Sequence, residues 1–186
     1  MRTIPVAPIL VPLTLVAVVA LLWRLHARGR LTALRALTVV VVCVYAAGVI
    51  GHVMPYEILT GSEREARAMP WRVYLHLTPL VEIVKDPAGI RLNTLLFVPL
   101  GLLLPLLARM SLRRALVIGF VISLSIEVVQ FIAVVTVSTG RVADVDDVIA
   151  NVLGTAIGYL VLRGLVRVPA LARLADAAAL GPAPGA

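Results

Sequence analysis

The sequence holds a single cysteine, Cys43, so an intramolecular disulfide and a cysteine-based metal site are both excluded. It has no glycine-rich nucleotide loop. Charged residues make up 15% of the chain, too few to clothe a soluble domain that is 61% hydrophobic. A cleaved signal peptide is not expected. Only Arg2 precedes the first apolar run, which is long and ends Leu22-Trp23-Arg24 rather than in a small-residue cleavage site. What is present is apolar throughout, with a mean hydropathy of +1.03. The fold class that follows is an all-α integral membrane protein.

The net charge of +7 would suit nucleic acid, but position argues against it. Most arginines lie in short clusters just beyond apolar segments, as membrane topology demands. Five spans are expected, at about Val6–Trp23, Leu34–Val53, Leu92–Ala108, Ala115–Val135 and Asp147–Val166. Arg24, Arg28, Arg30, Arg35, Arg109, Arg113, Arg114, Arg163, Arg167 and Arg173, ten of the 17 basic residues, then fall on one side. The positive-inside rule makes that side cytoplasmic, the amino end external and the carboxyl end internal, in a bacterial cytoplasmic membrane. Residues 1–168 read as a single membrane domain. Residues 169–186 read as an Ala-rich cytoplasmic tail, with Leu171 and Leu174 able to touch the membrane surface and a disordered Gly-Pro-Ala-Pro-Gly-Ala end.

The longest polar region, Pro55 to Arg91, separates the second and third spans. Ser62 and Glu65 have the spacing of a capping box, which predicts a short helix over Glu63–Met69 ended by Pro70. Trp71 to Val84 is apolar but interrupted by Pro79 and too short to cross, so a re-entrant or interfacial segment is expected, with Trp71 and Tyr74 at headgroup level. In the third span, Pro99, Gly101 and Pro105 predict a bent helix.

The chemistry concentrates between Glu127 and Gly158. A carboxyl at the centre of a membrane helix costs about 3 kcal/mol on insertion scales, so Glu127 needs a partner. Gly119, Ser123, Glu127 and Gln130 are spaced four, four and three and share one helix face. Such a stripe faces protein rather than lipid. Its plain role is helix–helix adhesion, the reading preferred for Ser123. For Glu127 a site carboxylate is preferred, because intramembrane carboxyls are functional by default. Asp144, Asp147, Asn151, Gly154 and Gly158 form a second stripe spaced three, four, three and four, opening on acids that suit a helix amino end. Gly154 and Gly158 read as a close-packing face. Asn151 is too deep to cap and should bond Glu127 or Gln130. A short connection makes the two helices antiparallel neighbours and brings the stripes together at the outer boundary. Arg141 in that connection is the natural counter-charge. Asn93, His76 and Arg91 could join from the side.

The stretches N-T-L-L-F-V-P-L-G at 93–101, E-x-x-Q at 127–130, R-x-x-D-x-x-D at 141–147 and N-x-x-G-x-x-x-G at 151–158 resemble the VanZ-like family of bacterial membrane proteins, over roughly residues 73–162. Where that family often has Asn-Leu-Ile-Pro-Phe, this chain has His76-Leu77-Thr78-Pro79-Leu80. The resemblance implies a cell-envelope protein, in a family named for a member linked to teicoplanin (glycopeptide) resistance. It brings no reaction and no cofactor.

Three functions fit these residues. The preferred one is a non-enzymatic protein whose outer-facing pocket of Asn93, Glu127, Gln130, Arg141, Asp144, Asp147 and Asn151 binds a membrane lipid, a lipid-linked cell-wall precursor or a glycopeptide. The alternative is an intramembrane enzyme acting on a lipid or lipid phosphate. Glu127 would be its acid or base, Arg141 would hold the anion, and Asp144 and Asp147 are the pair that could hold Mg2+ or Ca2+. No metal is expected under the preferred reading. The third is a scaffold whose outer loop docks a partner.

Overall fold

The structure is a computed structural model that describes residues 2–3, 6–53, 57–58, 69–137 and 142–181. In chain order the described elements are β1 (Arg2–Thr3), α1 (Ala7–Ala27), α2 (Ala33–Val53), β2 (Glu57–Ile58), a 3-10 turn (Trp71–Tyr74), β3 (Leu75–His76), α3 (Glu82–Lys85), α4 (Pro87–Leu107), α5 (Leu112–Val137), β4 (Ala143–Asp144), α6 (Val145–Leu165) and α7 (Pro169–Ala178). Five of the helices, α1, α2, α4, α5 and α6, are long and apolar enough to cross a membrane. The fold is therefore the expected all-α membrane bundle.

Sequence chemistry sets the boundaries. Helix α4 begins at Pro87, more than a turn before the expected Leu92. Asp86 caps it by accepting from Gly89 N at 3.0 Å, and Pro87 at the first position needs no hydrogen-bond partner for its nitrogen. The charge of Arg91 hid this start. Asn93 consequently lies inside the helix rather than at its opening. Pro99 and Pro105 are both accommodated within α4.

Helices α4 and α6 run the same way and form the centre of the bundle. Their contact is backbone to backbone. A Cβ on Gly154 would overlap the Thr94 carbonyl oxygen, one on Gly158 that of Val98, and one on Gly101 that of Thr155. Glycine removes the side chain at each crossing and lets the axes close. Antiparallel α5 packs on α6, with Phe97, Leu100, Leu104, Ala115 and Tyr159 as the apolar core. Over its most apolar 18 residues α6 is 39% buried, whereas α1 is 6% buried and lies at the edge beside α2. Tyr45 on α2 donates to the Leu96 carbonyl at 2.9 Å and ties that edge to α4.

The stretch after Pro70 does not cross the bundle. It makes the 3-10 turn, then β3, which pairs in parallel with β4 in the register Leu75↔Ala143 and His76↔Asp144. Trp71 sets its ring edge-on to Phe131 of α5, with centroids 6.3 Å apart. The segment thus lies over the end of the bundle where α5 connects to α6. The helix expected over Glu63–Met69 lies outside the described residues, apart from Met69.

At the opposite end the tail is not simply an Ala-rich extension. Residues Pro169–Ala178 form α7, and the turn after it is held by the α1–α2 connection. Arg30 donates to the carbonyls of Leu180 and Gly181, Arg35 to that of Ala179, and Thr38 to that of Ala178. The disorder expected for the final residues falls outside the described range.

Candidate functional site

Antiparallel α5 and α6 meet in a fixed register, four residues down one helix for four up the other. A Cβ on Gly119 would collide with the Thr155 side chain, so glycine makes room for that threonine. One turn on, Asn151 Nδ2 donates to Ser123 Oγ at 2.9 Å. A further turn on, Glu127 and Asp147 line one cavity. Ser123 and Thr155 are 0% exposed and Asn151 is 3% exposed, so the seam is buried. Asn151 therefore bonds Ser123, not the Glu127 or Gln130 expected from depth alone. Register along the seam decides the partner, and Ser123 is the adhesive residue.

Glu127 is stabilised by the backbone. Its Oε2 accepts from Asp144 N at 3.0 Å. Asp144 is not on the helical face of α6. It is the N-cap, with extended dihedrals, and its Oδ1 accepts from Asp146 N at 2.8 Å. Its other oxygen lies 3.2 Å from His76 Nδ1. The His76 that replaces asparagine in the family pattern thus reaches the cap directly.

Asp146 was not anticipated, yet among the described residues it is the most deeply buried acid, at 1% exposure. Its Oδ1 accepts from Leu80 N at 2.6 Å. Leu80 has φ +68°, a left-handed conformation that costs a leucine roughly 1–2 kcal/mol. Asp146 therefore fastens the strained Pro79–Leu80 turn onto the head of α6. Asp146→Asn would turn a charge-assisted bond into a neutral one and bury an amide without a full set of partners. The expected loss is about 2 kcal/mol, read as a lower melting temperature in detergent. Leu80→Gly, which removes the strain, should recover part of it.

Between α2, α4, α5 and α6 lies a polar cavity of about 260 Å³. Asn93, Glu127, Gln130, Asp147 and Asn151 line it, so five of the seven expected pocket residues share one cavity. His52 and Asp86, which no sequence pattern singled out, line it as well. Asn151 Oδ1 is buried without a hydrogen-bond partner among the described residues. Among the described residues that line the cavity none is Lys or Arg. Arg141 lies outside the described residues, and Arg91 is exposed on α4 and is not part of the cavity lining.

Asp144 belongs elsewhere. It lines a separate apolar groove of about 180 Å³ with His76, Leu124, Val128 and Phe131, and Glu127 is on the wall of both spaces. Asp144 and Asp147 thus face different spaces. Among the described residues, no three His, Cys, Asp or Glu gather as a metal-ligand group.

The VanZ/LLP1 family model matches residues 37–167. The chain belongs to that family. The match takes in most of α2 as well as α4 to α6, wider than the motifs alone indicated, and so covers all four helices around the polar cavity. No curated protein and no solved structure matches the chain.

Proposed function

We propose that this VanZ/LLP1-family protein acts in the bacterial cell envelope by binding, without converting, the hydroxyl- or amine-bearing head of a lipid-linked or cell-wall component in the cavity beside Glu127. The cavity faces outward, with the amino end outside and the carboxyl end cytoplasmic. The single observation that carries this reading is the polar cavity itself, with the amide side-chain residues Asn93, Gln130 and Asn151 on its lining. The remaining lining agrees. Asp86, Glu127 and Asp147 accept hydrogen bonds and favour cationic or hydroxylated groups, whereas a phosphate would meet carboxylates. An effect on glycopeptide susceptibility follows in this reading from how much of that component is left accessible.

Native mass spectrometry of the purified protein tests it. Wild type is expected to carry an envelope component bearing a sugar or amine, and Asp147→Asn to lose it while remaining folded. Wild type and variant emerging equally bare would overturn the proposal.

The enzymatic alternative draws on one observation, the position of Glu127 between a polar cavity and an apolar groove, where a lipid's head and chain could flank an acid or base. Conversion of envelope lipid extract by wild type but not by Glu127→Gln would favour it over binding alone.

A further inference from the structure

The end of the bundle opposite Glu127 holds a larger cavity, about 390 Å³, between α7 and the last turns of α4 and α6. Pro105, Leu106, Leu162 and Val166 supply an apolar part of its lining. Two guanidinium groups, those of Arg109 and Arg163, stand on its lining. They differ in occupation. Arg109 is paired with Asp176, also on the lining, at 2.9 Å, with both side chains more than half exposed. Arg163 has no partner among the described residues.

Charge at this end is one-sided. Ten arginines follow or flank the helix ends on this side in the sequence, and among the described residues one acid, Asp176, lies with them. Arg30 and Arg35 are committed to the carbonyls after α7. Arg163, in the last turn of α6, suits the helix dipole and is exposed, so its guanidinium can still meet a ligand. Helix α7 sets Ala172, Ala175 and Asp176 toward the cavity and leaves Leu171 and Leu174 exposed. That division suits a helix lying in the plane of a membrane surface.

We infer that this cavity is a binding site for an anionic phospholipid, with the phosphate held by Arg163 and Arg109 and the upper acyl chain against Leu106, Leu162 and Val166. The charge excess selects an anionic over a zwitterionic head, and the apolar part of the lining selects a lipid over a free anion. The Asp176–Arg109 pair occupies one of the two guanidinium groups. Breaking it releases a second guanidinium for the phosphate. This inference is independent of the proposed role of Glu127.

The test is native mass spectrometry of the full chain extracted from bilayers of equal phosphatidylglycerol and phosphatidylcholine. Wild type should retain phosphatidylglycerol in preference. Arg163→Gln should reduce that retention about fivefold, the effect of one arginine near an anionic head. Asp176→Asn should increase it. The two variants thus move the signal in opposite directions, which a general loss of structure would not do. Equal retention of the two lipids by wild type, or no change in either variant, would overturn the assignment. So would displacement of the lipid by millimolar inorganic phosphate, which would make this a free-anion site.

Discussion

Replacing Gly158 by alanine is expected to separate α4 from α6 and to unfold much of the protein in mild detergent. A Cβ at that position would overlap the Val98 carbonyl oxygen and sit 2.9 Å from Leu102 N and 3.0 Å from Gly101 Cα. All three obstacles are backbone, so no rotamer change can relieve them. Overpacking in a close-packed core typically costs about 1–3 kcal/mol, and a clash between two main chains belongs at the top of that range or above. Glycine-mediated contact is also the means by which these two helices associate, because lipid supplies no hydrophobic drive between them. Gly154→Ala, against Thr94 O, should behave alike. Gly164→Ala, which would meet nothing within 4 Å, is the control. Melting followed by circular dichroism distinguishes them. A Gly158→Ala variant that melts with wild type would mean that α4 and α6 do not touch in this way.

The bundle was legible because its signals are local. Span lengths, arginine clusters and prolines each act on the residues beside them. The pairing of α5 with α6 was legible too, since two stripes at helical spacing joined by a short link can hardly avoid meeting. Partner identities along the seam were not. Whether Asn151 meets Ser123 or Glu127 depends on axial register, and a shift of one turn exchanges them. Asp146 escaped notice for a different reason. On the helical wheel it lies off the stripe of Asp147 and Asn151, and its partner is a backbone N–H in the turn around Leu80, which spacing cannot reveal. His52 and Asp86 enter the cavity from α2 and from the cap of α4, elements whose lateral placement leaves no mark on periodicity.

Glu127→Ala is expected to lower stability by about 2–4 kcal/mol, whereas Glu127→Gln should stay within about 1 kcal/mol of wild type. The difference follows from what the carboxylate does. Its Oε2 accepts from Asp144 N, the residue that caps α6 and whose side chain reaches both Asp146 N and His76. Alanine removes that acceptor, strands a buried N–H and opens a space between the polar cavity and the apolar groove. The head of α6 then loses its tie to α5, and the β3–β4 pairing beside it should loosen. Glutamine presents an amide oxygen at nearly the same place and can keep the backbone bond, but it brings no negative charge. The pair of variants therefore separates scaffold from site. Melting temperature reports the first, and retention of the co-purifying envelope component reports the second. Glutamine should preserve melting and lose the component. If glutamine keeps both, the charge of Glu127 has no part in binding and the recognition rests on the amide side chains of Asn93, Gln130 and Asn151. If alanine melts like wild type, the bond to Asp144 does not hold the two helices together.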